Sequence, residues 1–182
     1  RQIPLLGIMA AFIFAAQALN FPVAGGTSGH MLGGALAAIV LGPWAAVLVM
    51  TTVIGLQGLL FQDGGLLVMG WNILNMGILT AFTGYFVYRT VKKLLSNSVS
   101  SVLIGGALAA WLSVMVGAIA TAVELALSGT SPLNLALPAM AGVHALIGIG
   151  EALITVGALS LIVRTRPDLL LGGEQATGVV SA

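Results

Sequence analysis

Apolar runs long enough to cross a lipid bilayer follow one another through this chain, and charge almost never interrupts them. Each is continuous rather than alternating, so it reads as a helix and not as the period-two strand of a barrel. A backbone immersed in hydrocarbon must satisfy its own N–H and C=O groups, which again selects helices. Composition agrees: 59% of the 182 residues are hydrophobic and 6% are charged, against about 25% charged in soluble domains. Eleven Asp, Glu, Lys and Arg side chains cannot clothe a water-facing surface. The expected architecture is therefore an all-α polytopic membrane protein. It comprises one transmembrane helical domain over residues 1–171 and a flexible, Gly-rich tail over 172–182.

The runs imply about six crossings. Ile3–Leu19 is the first, closed by Asn20-Phe21-Pro22. The second run, Met31–Leu41, reaches only roughly 16 Å at about 1.5 Å per residue, half of a ~30 Å hydrocarbon core. Between them lies Val23-Ala24-Gly25-Gly26-Thr27-Ser28-Gly29-His30. A half-length helix after a small, polar stretch suggests a Gly-rich loop that dips into the membrane, with the short helix completing the crossing. Irregular backbone at that depth is tolerated where protein or a cavity shields it, which marks a functional site. Gly42-Pro43 then turns the chain, and spans are expected over about 44–60, 66–88, 102–127 and 138–163.

Positive charge orients the bundle. Arg1, the segment Arg89, Lys92 and Lys93, and Arg164 with Arg166 are the Lys and Arg positions. Six crossings place all of them on one side, which implies that both ends of this chain are cytoplasmic and that the Gly-rich loop enters from outside. There is no cysteine, so a metal would need nitrogen or oxygen ligands. No basic cluster suggests nucleic acid, and no G-x-x-x-x-G-K-[ST] phosphate loop suggests an ATPase. Small residues at four-residue spacing mark two faces for close helix approach. Gly7, Ala11 and Ala15 are candidates for docking another membrane subunit; Gly106, Ala110, Val114 and Ala118 form a similar stripe.

Ionisable groups inside a membrane are costly and tend to be functional. His30 ends the Gly-rich stretch, and a neutral imidazole suits Co, Ni, Cu or Zn; it is the candidate direct ligand. His144 and Glu151 are seven residues apart, two turns along one helix face. They could support the ligand, line an ion path or simply join neighbouring helices. Thr27, Ser28, Asn72 and Asn75 are further candidates for supporting the site, one Asn by holding the loop backbone. Glu124 reads as an interfacial group. A competing pattern is Gly26-Thr27-Ser28-Gly29 with His144, similar to the Ser–His dyad of rhomboid-type intramembrane proteases. The Ser28-Gly29-His30 continuation departs from that pattern.

Across residues 1 to about 163 the chain resembles the CbiM/NikM family, the membrane substrate-capture subunits of energy-coupling-factor cobalt and nickel transporters. The resemblance is carried by Leu19-Asn20-Phe21-Pro22, Gly25-Gly26-Thr27-Ser28-Gly29-His30-Met31-Leu32-Gly33-Gly34, Leu41-Gly42-Pro43-Trp44-Ala45 and Gln62-Asp63-Gly64-Gly65-Leu66. It continues in Asn72-Ile73-Leu74-Asn75-Met76-Gly77, Gly142-Val143-His144-Ala145-Leu146-Ile147-Gly148 and Gly150-Glu151-Ala152-Leu153-Ile154-Thr155. It implies a seven-helix subunit whose N-terminus begins Met-His. The terminal amine, a backbone amide and that histidine would join a second histidine, matched by His30, in a nitrogen-rich, roughly planar site. This sequence opens on Arg1 and lacks that segment, so as written it is expected to bind metal poorly.

The resemblance further implies Co(II) as transported substrate, with Ni(II) the alternative and no organic cofactor. It implies a transmembrane coupling subunit, two cytoplasmic ATPases that perform any ATP hydrolysis, and often a small accessory membrane protein. The expected location is the cytoplasmic (inner) membrane of a bacterium or archaeon.

Overall fold

The computed structural model describes residues 2–18, 20–23, 27–95 and 98–170; the tail expected at 172–182 lies outside them. In chain order these form α1 (Gln2–Gln17), the strands β1 (Asn20–Val23) and β2 (Thr27–His30), α2 (Gly34–Leu41) and α3 (Pro43–Leu60). There follow α4 (Met69–Asn72), a π-helical segment Ile73–Leu79 and α5 (Thr80–Leu94), then α6 (Val99–Leu127) and α7 (Leu133–Thr165). A short 3-10 turn, Pro167–Leu169, closes the described chain.

The helices α3, α6 and α7 are each long and apolar enough to cross a membrane. The continuous helical stretch 69–94 adds about 39 Å at ~1.5 Å per residue. Their outward faces are as apolar as their inward ones: Leu48, Leu59, Leu153 and Leu161 are all exposed. A helix that is hydrophobic all round belongs in a lipid environment or a large core. The chain is a multi-pass α-helical membrane protein.

The short second helix is the centre of the assembly. Every residue of α2 from Gly34 to Val40 is buried, enclosed by α3, α5 and α6. Small residues allow the approach. A Cβ on Gly84 would sit 2.6 Å from both Cα and Cβ of Ala35, and one on Gly34 would overlap the Thr80 hydroxyl. The chain leaves α2 through Gly42 at φ +87°, and Pro43 starts α3 at its first turn, where a missing N–H costs nothing.

The two small-residue stripes separate. On α6, Gly106, Ala110, Val114 and Ala118 are buried, and a Cβ on Gly106 would run into the Leu159 side chain of α7; this stripe is internal packing. On α1, Gly7, Ala11 and Ala15 are exposed, and a Cβ on Gly7 would meet nothing within 4 Å.

Two expectations need correction. Thr27–His30, expected within an irregular loop, instead form β2, paired antiparallel with β1, Asn20 opposite His30 and Val23 opposite Thr27; residues 24–26 lie outside the described residues. Pairing the strand backbones with one another satisfies groups that hydrocarbon could not. The last helix also begins before Pro138, at Leu133. Pro138 therefore sits inside it, where its absent N–H forfeits one backbone bond.

Candidate metal site

Strand β2 ends on His30, and three residues, Met31, Leu32 and Gly33, turn the chain into α2. Gly33 has φ +80°, a left-handed conformation that glycine adopts without a Cβ penalty. Two long helices grip this corner. The Glu151 carboxylate on α7 accepts the Leu32 N–H at 2.7 Å and the Gly33 N–H at 2.9 Å. From α1, Gln17 donates its side-chain N–H to the Leu32 carbonyl at 2.7 Å. Both Gln17 and Glu151 are 1% exposed.

The His30 ring is half-buried, with Nδ1 2.7 Å from the Met31 carbonyl. A carbonyl can only accept, so in the neutral ring Nδ1 carries the proton and Nε2 keeps its lone pair. His144 repeats the arrangement: Nδ1 lies 2.9 Å from the Met140 carbonyl one turn back on α7, leaving Nε2 unprotonated in the neutral ring. Both rings line one cavity of about 860 Å³.

The same cavity is lined by Asn72, Asn75, Thr121 and Glu124, and by Asp63, Gly64, Ser128 and Thr130 from the turns at one end of the bundle. Asn75 reaches it from the π-helical segment. Such wide turns shift side-chain registers and recur at functional sites. Its amide donates to Glu124 at 2.6 Å and to Thr121 at 3.2 Å. Its Oδ1 is buried with no hydrogen-bond partner.

Among the expected site residues, His30, Asn72, Asn75 and His144 thus share one cavity. Glu151 does not line it, although it lies on the same buried stripe of α7 as His144. Asn72 makes a long 3.5 Å contact to the Gly64 carbonyl, in a different loop from the Gly-rich one. Roles for the Thr27 and Ser28 side chains fall outside the described residues. Glu124 is more than an interfacial group: it faces the cavity and holds Asn75. Gln17 escaped sequence reasoning, since a single amide near the end of an apolar run carries no pattern. Among the described residues no three of His, Cys, Asp and Glu cluster as a metal cage.

The family model described as the cobalt uptake substrate-specific transmembrane region, CbiM, matches residues 1–169. The chain belongs to the CbiM family. It is 42% identical, over 98% of its length, to an Archaeoglobus fulgidus protein provisionally named fused nickel transport protein NikMN, of which it spans 60%. It is 34% identical to the cobalt transport protein CbiM of Sorangium cellulosum, covering 92% of this chain and 76% of that one. A crystal structure described as a transition metal transporter superposes with a TM-score of 0.79 at 38% identity, covering 89% of this chain and 76% of that one.

These CbiM relatives are named as metal transport proteins, not as enzymes. The protease pattern also lacks its structural setting: Ser28 lies within β2 and not at a helix start.

Proposed function

We propose that this chain is the substrate-capturing membrane subunit of an energy-coupling-factor cobalt uptake transporter, with nickel as the alternative ion. The observation that carries the reading is the contact of His30 Nδ1 with the Met31 carbonyl. It leaves Nε2 of the neutral ring to act as the ligand atom, in a residue that lines the same cavity as His144. Nitrogen ligands suit both ions, and affinity in the divalent series favours nickel over cobalt at a given site. The preference for cobalt rests on the family model, whose description is of a cobalt uptake region; the nickel-named relative at 42% identity keeps Ni(II) as the alternative. The cavity leaves room for the further nitrogen ligands that the resemblance implies.

Orientation supports capture from outside. Asp63 and Gly64, with Ser128 and Thr130, put the cavity at the bundle end whose turns contain no Lys or Arg. The positive-inside tendency makes that end external and both termini of this chain cytoplasmic, in the inner membrane of a bacterium or archaeon. A coupling subunit, two ATPases and a small accessory membrane protein would then drive import, with the exposed Gly7, Ala11 and Ala15 face available for docking. Uptake of Co(II) and Ni(II) in competition, by cells carrying the complete transporter, tests this. Accumulation that depends on His30 is expected; uptake of neither ion would refute it.

A further inference from the structure

Glu151 presents a problem that the metal site does not by itself answer. A carboxylate 1% exposed on a membrane-spanning helix is expensive unless its charge is well satisfied. The ion pair among the described residues is Arg166–Asp168, far along the chain. What Glu151 meets instead is two successive backbone N–H groups, at 2.7 and 2.9 Å. The second belongs to left-handed Gly33, which precedes the first turn of α2 and caps it without a side-chain bond of its own. Successive N–H groups of this kind form an anion-binding concavity, and a helix N-terminus adds favourable field. Each donor takes its own carboxylate oxygen, Oε2 for Leu32 and Oε1 for Gly33; an amide keeps one oxygen and sets an N–H against the other donor.

The peptide so held is placed tellingly. Leu32 is two residues beyond His30; its N–H goes to Glu151 on α7 while its carbonyl accepts from Gln17 on α1. Glu151 also stands two turns from His144 on the same buried stripe of α7. One side chain therefore ties the turn that bears the first imidazole to the helix that bears the second.

We propose that Glu151, assisted by Gln17, is a positioning residue of the metal site, and that its clamp on the Leu32–Gly33 corner sets how the His30 and His144 rings stand relative to one another. This rests on the metal-capture reading and deepens it. Groups that orient a metal's ligands typically govern affinity by about 10–100-fold. Relaxing the corner should weaken binding by that factor and disturb the ligand field of whatever ion is bound.

The test titrates NiCl2, then CoCl2, into the purified full-length protein and follows affinity and the ligand-field absorption bands, beside thermal unfolding. Glu151→Gln keeps the shape but turns an N–H of its amide against a backbone donor. The expected result is ~10–100-fold weaker binding and displaced bands in protein that is still folded. A variant that merely unfolds at lower temperature, with unchanged affinity and bands, overturns the proposal. If Glu151→Gln does not reach the membrane, Gln17→Leu decides by the same two readouts, with weaker binding and displaced bands expected and wild-type values contradicting it. Failure of the unaltered protein to bind either ion would instead count against metal capture itself.

Discussion

Replacing Gly84 by Ala adds one methyl group where the structure has no space for it. The new Cβ would stand 2.6 Å from both Cα and Cβ of Ala35, whereas carbon atoms in ordinary contact sit roughly 3.5–4.0 Å apart. The atoms met are those of the α2 chain itself, 0% exposed at Ala35, so no rotamer change relieves the clash. Helices α2 and α5 must separate by about 1 Å, and a gap of that size forfeits a quarter to a half of each affected contact. Overpacking of this kind costs about 1–3 kcal/mol. For a chain of this size each kcal/mol moves Tm by roughly 2–4 °C, so the purified protein should unfold some 2–12 °C lower. Gly55→Ala is the control, because a Cβ there meets nothing within 4 Å and Ala is the better helix former by about 1 kcal/mol. Equal melting temperatures for the two variants would refute the packing argument.

Other substitutions separate kinds of contact. Gly106→Ala meets the far end of the Leu159 side chain rather than backbone, so it should lower Tm less than Gly84→Ala does. Asn75→Leu removes the donor that Glu124 and Thr121 share; leaving a carboxylate short of its partner should cost about 1–3 kcal/mol, measured by thermal unfolding. Gly7→Leu together with Ala11→Leu should leave the stability of the isolated chain unchanged, since that face is empty, and abolish co-purification of the coupling subunit. Retained assembly would remove the docking role from α1.

The helical membrane fold was legible because length and charge poverty speak directly to solvent: hydrocarbon admits few alternatives. The half-length of α2 was legible for the same reason, as the distance from Met31 to Gly42 is too short for a span. The pairing of β1 with β2 was not, because Phe21-Pro22 and Ser28-Gly29 show no alternation of polarity. The early start of α7 was hidden by Pro138, which sequence reasoning places at a helix beginning, whereas here it is an exposed residue inside α7.

The site divides similarly. His30 stood out as an imidazole that closes a Gly-rich stretch between two apolar runs, and His144 and Glu151 as a pair on one face. That the pair works in two directions, His144 toward the cavity and Glu151 toward the Leu32 corner, depends on how α7 sits against β2. The Gln17–Leu32 and Asn75–Glu124 bonds likewise exist only between separate elements, joining residues 15 and 49 positions apart. Such contacts leave no local spacing to read.

X-ray absorption at the metal edge of the full-length protein loaded with Co(II) or Ni(II), compared with His30→Ala, addresses the central claim most directly. One imidazole fewer in the metal's scattering shell of the variant, together with loss of high-affinity binding, is the predicted result. An identical metal environment in both proteins would contradict it.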